Sequence, residues 1–193
     1  QVIDQQPDYI EAYHQLGIAL YKMKNPVAAV DVFNRAITQN PDNPDSYNNL
    51  GLLLMALKEF PEAERCFLQA IKRSPDSPDF YNNLGTLFAK SIKYQEAQIC
   101  YHKAIALNPD YAEVYRNLGL IHLRQNNLSE SQAYLNHAIQ LKPDYWQAQS
   151  VLGRVFLAQG KDDLGWLQYE WRLKSPMWRA LPFPRWQGES LAG

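Results

Sequence analysis

Asparagine is the residue type whose side chains recur in this chain at a spacing that can do chemistry. The pairs Asn48-Asn49 and Asn82-Asn83 stand 34 residues apart, and Asn117, with Arg116 beside it, follows Asn83 by another 34. Each carboxamide carries donors and acceptors together, which suits the alternating N–H and C=O groups of an extended peptide. One such group per unit would grip a peptide with little regard to its sequence. In a helix interior Asn is disfavoured by up to about 0.7 kcal/mol relative to Ala, which argues for a use. Gln15 and Val151 break the row at its two ends.

No other polar set has a spacing that carries a reaction. His14, His102, His122 and His137 lack the spacing of metal ligands, and His122 falls on a core stripe, where a packed, hydrogen-bonded histidine is expected. A phosphate loop and a nucleophile elbow are both missing from the sequence. No catalytic residue, metal or cofactor is therefore expected. Glu11, Asp45, Asp79 and Glu113 form an acidic row, but carboxylates in a first helical turn, with Lys22, Lys90 or Arg124 in the last, are what the helix dipole favours.

The net charge of -1 removes the electrostatic basis for nonspecific nucleic-acid binding. No stretch approaches the roughly 18 apolar residues of a membrane helix. The expected partners are proteins or peptides, with no nucleic acid and no membrane. Cys66 and Cys100 occupy the same place in neighbouring units; stacked helices lie about 8–10 Å apart, beyond the reach of about 7 Å between bridged Cα atoms. Reduced thiols and a cytoplasmic location are the expectation.

The elements that position these residues repeat. Leu16-Gly17, Leu50-Gly51, Leu84-Gly85, Leu118-Gly119 and Leu152-Gly153 recur every 34 residues. With Leu-Gly at positions 7 and 8, position 4 holds Tyr13, Tyr47, Tyr81 and Tyr115, and position 20 holds Ala29, Ala63 and Ala97. Phe33, Phe67 and Tyr101 fall at 24, Ala36, Ala70, Ala104 and Ala138 at 27, and Pro41, Pro75, Pro109 and Pro143 at 32. Positions 4, 7, 8 and 11 follow the i, i+3, i+4, i+7 rule and form one apolar stripe on a first helix; Ala63, Phe67 and Ala70 do so on a second. Gly within a helix costs about 1 kcal/mol relative to Ala, so its recurrence predicts close approach of two helices, with Phe67 filling the space beside Gly51. The Pro-Asp pairs are expected to end each second helix and to supply turn and capping chemistry for the next first helix. A unit of this length cannot bury its apolar face alone and must stack on copies of itself. Positions 2, 6, 9 and 13 lie opposite the stripe and face the inner groove of the stack.

This pattern resembles the tetratricopeptide repeat (TPR). The resemblance implies an all-α, right-handed superhelix of antiparallel helix pairs that binds other proteins. Full repeats are expected at 10–43, 44–77, 78–111 and 112–145, with 1–9 as the tail of a truncated preceding repeat. Residues 146–175 are expected to form a degenerate repeat or capping helix pair, and 176–193 a Pro/Trp-containing linker toward a missing C-terminal domain. Asn at position 6 also occurs in TPR domains without touching a ligand. The TPR class that clamps a terminal carboxylate uses Lys at position 2; none stands there in this chain, so that clamp is not expected.

All five tryptophans, Trp146, Trp166, Trp171, Trp178 and Trp186, lie beyond residue 145. The stretch from Gly165, with Tyr169, Trp171 and then Leu181-Pro182-Phe183-Pro184, resembles the junction at which bacterial TPR arrays enter a glycosyltransferase-like domain akin to O-linked N-acetylglucosamine transferases and heptosyltransferases. That resemblance implies that the chain recruits substrates or partners for a domain beyond Gly193 and is itself no enzyme; those transferases carry a similar asparagine ladder. Two plainer readings stand beside it: Trp166, Tyr169, Trp171, Trp178 and Trp186 cap the stack, or the chain is a free-standing scaffold or an oligomer joined through its exposed ends.

Overall fold

The structure is a computed structural model that describes residues 10–174. Among the described residues ten helices follow one another: α1 (Ile10–Lys22), α2 (Pro26–Gln39), α3 (Pro44–Ala56), α4 (Phe60–Arg73), α5 (Pro78–Lys90), α6 (Tyr94–Leu107), α7 (Ala112–Arg124), α8 (Leu128–Leu141), α9 (Trp146–Ala158) and α10 (Asp162–Tyr169), with a 3-10 turn at Glu170–Lys174. Odd-numbered helices are the first, and even-numbered the second, of five antiparallel pairs. Each first helix packs on its own second helix, and each second helix packs on the next first helix as far as α9. Successive first helices also touch one another, whereas among the described residues successive second helices do not. First helices therefore line the inside of the curve and second helices the outside.

Gly at position 8 makes this packing possible. A Cβ on Gly17 would stand 2.5 Å from Phe33 Cζ, one on Gly51 2.8 Å from Phe67 Cε1, and one on Gly85 2.7 Å from Tyr101 Cε1. These rings are buried, so each sits where a side chain of its partner helix would have been. In the fourth pair Leu135 takes the ring's place, and Ser131 at position 20 donates its hydroxyl to Gly119 O at 2.7 Å. The core is a chain of small clusters: four each draw on two neighbouring units, and a fifth, of Tyr13, Val32 and Ala36, lies within the first pair.

The links between pairs follow the expected turn chemistry with a change of residue. Pro41-Asp42 and its counterparts lie between helices, but the aspartates are not the caps: Asn43 accepts from Ser46 N at 3.1 Å at the start of α3. Asn40 and Asn108 accept from Asp42 N at 3.3 Å and Asp110 N at 3.2 Å, which closes the turn from the residue before the proline. Within a pair, the link passes through a left-handed residue at position 15: Lys24, Lys58, Ile92, Asn126 and Gly160, at φ 59 to 73. Arg73 clasps neighbouring elements by donating to Pro41 O at 2.7 Å and Tyr47 OH at 2.9 Å, with its guanidinium 4.0 Å above the Tyr47 ring.

Candidate interaction groove

The asparagines meet across the joints between first helices. Asn83 Nδ2 donates to Asn48 Oδ1 at 2.8 Å, and Asn117 Nδ2 donates to Asn82 Oδ1 at 3.0 Å. Position 6 of one unit thus bonds position 5 of the unit before it. Asn48, Asn82 and Asn117 are buried, while Asn49 and Asn83 are half-buried. Arg116 Nη2 donates to Asn117 Oδ1 at 2.7 Å. Four of the asparagines thus form two interhelical bridges, whereas Asn49 and Arg116 line notches in the groove. The equivalent place in the first joint is taken by His14, whose Nε2 lies 3.3 Å from Ser46 Oγ.

Two notches open along the inner wall at equivalent places. The first, 290 Å³, lies between α1 and α3 over the Phe33 ring and is lined by Ile18, Tyr21, Leu52 and Ala56 together with Asn49 and a single cation, Lys22. The second, 270 Å³, lies two units on, between α5 and α7 over Tyr101, and is lined by Thr86, Lys90, Arg116, Asn117, Leu120 and Arg124. Positions 9 and 13 supply walls at both. Their orientation and residue types are readable from the sequence; where along the wall the notches open, and that Arg116 lines the second, is not.

The acidic row has at least one structural use, since the Tyr111 hydroxyl donates to Asp79. Burial, and then this carboxylate, push the Tyr111 hydroxyl's pKa upward. His122 is half-buried, stacked on Tyr134 at 5.2 Å, and its Nδ1 has no hydrogen-bond partner, which departs from the satisfied histidine expected. Burial holds the pKa of His14 and of His122 below the ordinary 6.5. Cys66 and Cys100 are free thiols pushed up to about 11 by burial. Among the described residues no cluster of three or more His, Cys, Asp or Glu could hold a metal ion, and no helix is long and apolar enough to cross a membrane.

At the far end, Trp166 is 55% exposed beside Leu164 and Leu167 at 50% and 62%. Tyr169 is half-buried and meets the Trp166 ring edge-on at 6.1 Å, and Trp171 is half-buried. Trp178 and Trp186 lie outside the described residues.

With the stack of paired helices and its grooved inner wall established, the class is defined: an α-solenoid of helical hairpins. Tetratricopeptide repeat profiles match residues 20–85 and 76–144, so this chain is a tetratricopeptide-repeat protein across 20–144. Solved structures agree on the fold. PilF of Pseudomonas aeruginosa is 19% identical with a TM-score of 0.76, over 86% of this chain and 75% of that one. TTC0263 of Thermus thermophilus is 23% identical with a TM-score of 0.73, over 87% and 92%. YrrB, described as a TPR protein with an unusual peptide-binding site, is 16% identical with a TM-score of 0.62, over 90% and 89%. No curated protein sequence is significantly similar to this one.

Proposed function

We propose that this chain is a recruiting module that holds an extended segment of another protein along the wall formed by α1, α3, α5, α7 and α9. The observation that carries this reading is the recurrence along the wall: Asn49 and Asn83 are half-buried at the same position of α3 and α5, and two open notches lie at equivalent positions two units apart. Such a wall offers hydrogen bonds to a peptide backbone and separate seats for side chains. YrrB, a neighbour in fold, is described by its peptide-binding site. Replacing Asn49, which lines the first notch and makes no bridge between first helices, with Ala, or filling that notch by Ala56→Trp, is expected to leave helical content intact and to weaken capture of peptides selected from a random library. Unchanged affinity in both variants would remove the groove from the reading.

The finer expectation, that the array serves a glycosyltransferase-like domain, rests on the junction sequence from Gly165 onward; the neighbours in fold named above are repeat proteins. An unrelated sequence following Gly193 in the gene would end it. The free thiols favour a reducing compartment such as the cytoplasm. A second reading, self-association, is favoured by the exposed Leu164, Trp166 and Leu167. Light scattering across a concentration series that reports a monomer throughout would reject it.

A further inference from the structure

The two notches occupy equivalent positions and differ in chemistry, and this difference specifies more than a generic peptide. At the first, Ile18 and Tyr21 stand 42% and 41% exposed over the Phe33 ring. At the second, Lys90 and Arg124 sit at position 13 of consecutive units, Arg116 lies between them, and none of the lining residues is acidic. Lys90 and Arg124 are exposed and make no ion pair among the described residues. Arg116 is held by Asn117, has Glu113 3.9 Å away and the Tyr145 ring 6.0 Å from its guanidinium, and still keeps a buried Nε without a hydrogen-bond partner. The helix dipole accounts for Lys90 and Arg124 in the last turns of α5 and α7; it does not account for a half-buried guanidinium with an unpartnered Nε between them.

We propose that the groove selects a bipartite peptide, with an apolar side chain seated between α1 and α3 and a pair of acidic side chains seated between α5 and α7. Cations spread over two units match two carboxylates on one face of an extended strand better than the single charge of a chain terminus. The spacing follows from the stack. Touching helices lie about 8–10 Å apart, so two unit steps separate the notches by about 16–20 Å. An extended peptide at about 3.3 Å per residue covers that distance in about five or six residues. This inference rests on the groove reading given above and adds the identity and spacing of the two anchors.

Panning a library of random peptides of about twelve residues, long enough for both notches at about 3.3 Å each, on the folded protein tests it. The enriched peptides are expected to share an apolar residue and, about five or six positions away, two acidic ones. Their affinity, read by fluorescence anisotropy at low salt, is expected to fall about tenfold or more on K90E/R124E, to fall on Ile18→Asp, and to survive amidation of the peptide C-terminus. Both substituted cations are exposed, so circular dichroism should report an unchanged fold. Enriched peptides that lack acidic residues, that ignore K90E/R124E or that need a free terminal carboxylate overturn the bipartite inference while leaving the groove standing. No enrichment, or binding indifferent to Ala56→Trp, overturns the groove and the inference with it.

Discussion

The first three helix pairs and the last keep the same register and close in different ways. In the first three, an aromatic ring from position 24 presses on the Gly of position 8. In the last, the backbone itself does so: a Cβ on Gly153 would meet the amide nitrogen of Tyr169 and, at 2.8 Å, the carbonyl of Gly165. Gly165 stands where Ala29, Ala63 and Ala97 stand in the regular pairs, and a Cβ there would come 2.6 Å from Leu157 Cδ2. The substitution that marks this unit as degenerate is thus what allows α9 and α10 to approach more closely. The lesson is that one spacing rule supports two kinds of contact, one adjustable by rotating a ring and one not.

Removing a ring tests the first kind most severely. Phe67 is fully buried, and Phe67→Ala is expected to destabilise the fold by about 3–5 kcal/mol, read from urea denaturation; a loss below about 1 kcal/mol would mean that the ring is not the spacer. Adding a methyl separates the two kinds directly. Gly153→Ala pushes on backbone and is expected to lose about 3 kcal/mol, while Gly85→Ala pushes on the Tyr101 ring and is expected to lose about 1 kcal/mol or less, since Ala recovers helix propensity. Equal losses would erase the distinction.

The links sharpen the same comparison with smaller effects. Position 15 is left-handed in both regions, but it is Ile92 at φ 62 in the third pair and Gly160 at φ 73 in the last. A β-branched residue is strained there, so Ile92→Gly is expected to raise stability by about 1 kcal/mol and Gly160→Ile to lower it by about as much. The smallest effect is on pH dependence. The pKa of His14 is lowered chiefly by burial, with Glu11 and Asp45 opposing. The unfolded chain therefore binds the proton more tightly than the folded one, and stability is complete above the ordinary value of 6.5 and declines as pH falls below it. A thermal midpoint that drops between about pH 7.5 and 5.5, with a shallower drop in His14→Gln, is the expected result.

Much of this fold is legible because its determinants are local and periodic. Gly51 and Phe67 are readable as partners since each recurs at a fixed place in every unit and only one of them is small. The left-handed links are less readable: Gly160 and Asn126 suggest them, whereas Lys24, Lys58 and Ile92 at the same position hide them. The asparagines were visible as a row, but their mutual hydrogen bonds were not, because spacing along the chain does not say whether position 6 reaches outward or back to position 5 of the unit before.

The residues alone determined the unit length, the pairing of helices and the inner and outer faces, because each of these follows from periodicity and residue type. Only the tertiary structure decided that buried carboxamides tie one first helix to the next, where the groove opens into notches, and that the last pair closes on backbone. Those features arise from side chains brought together across units, at distances that helical period and spacing leave open.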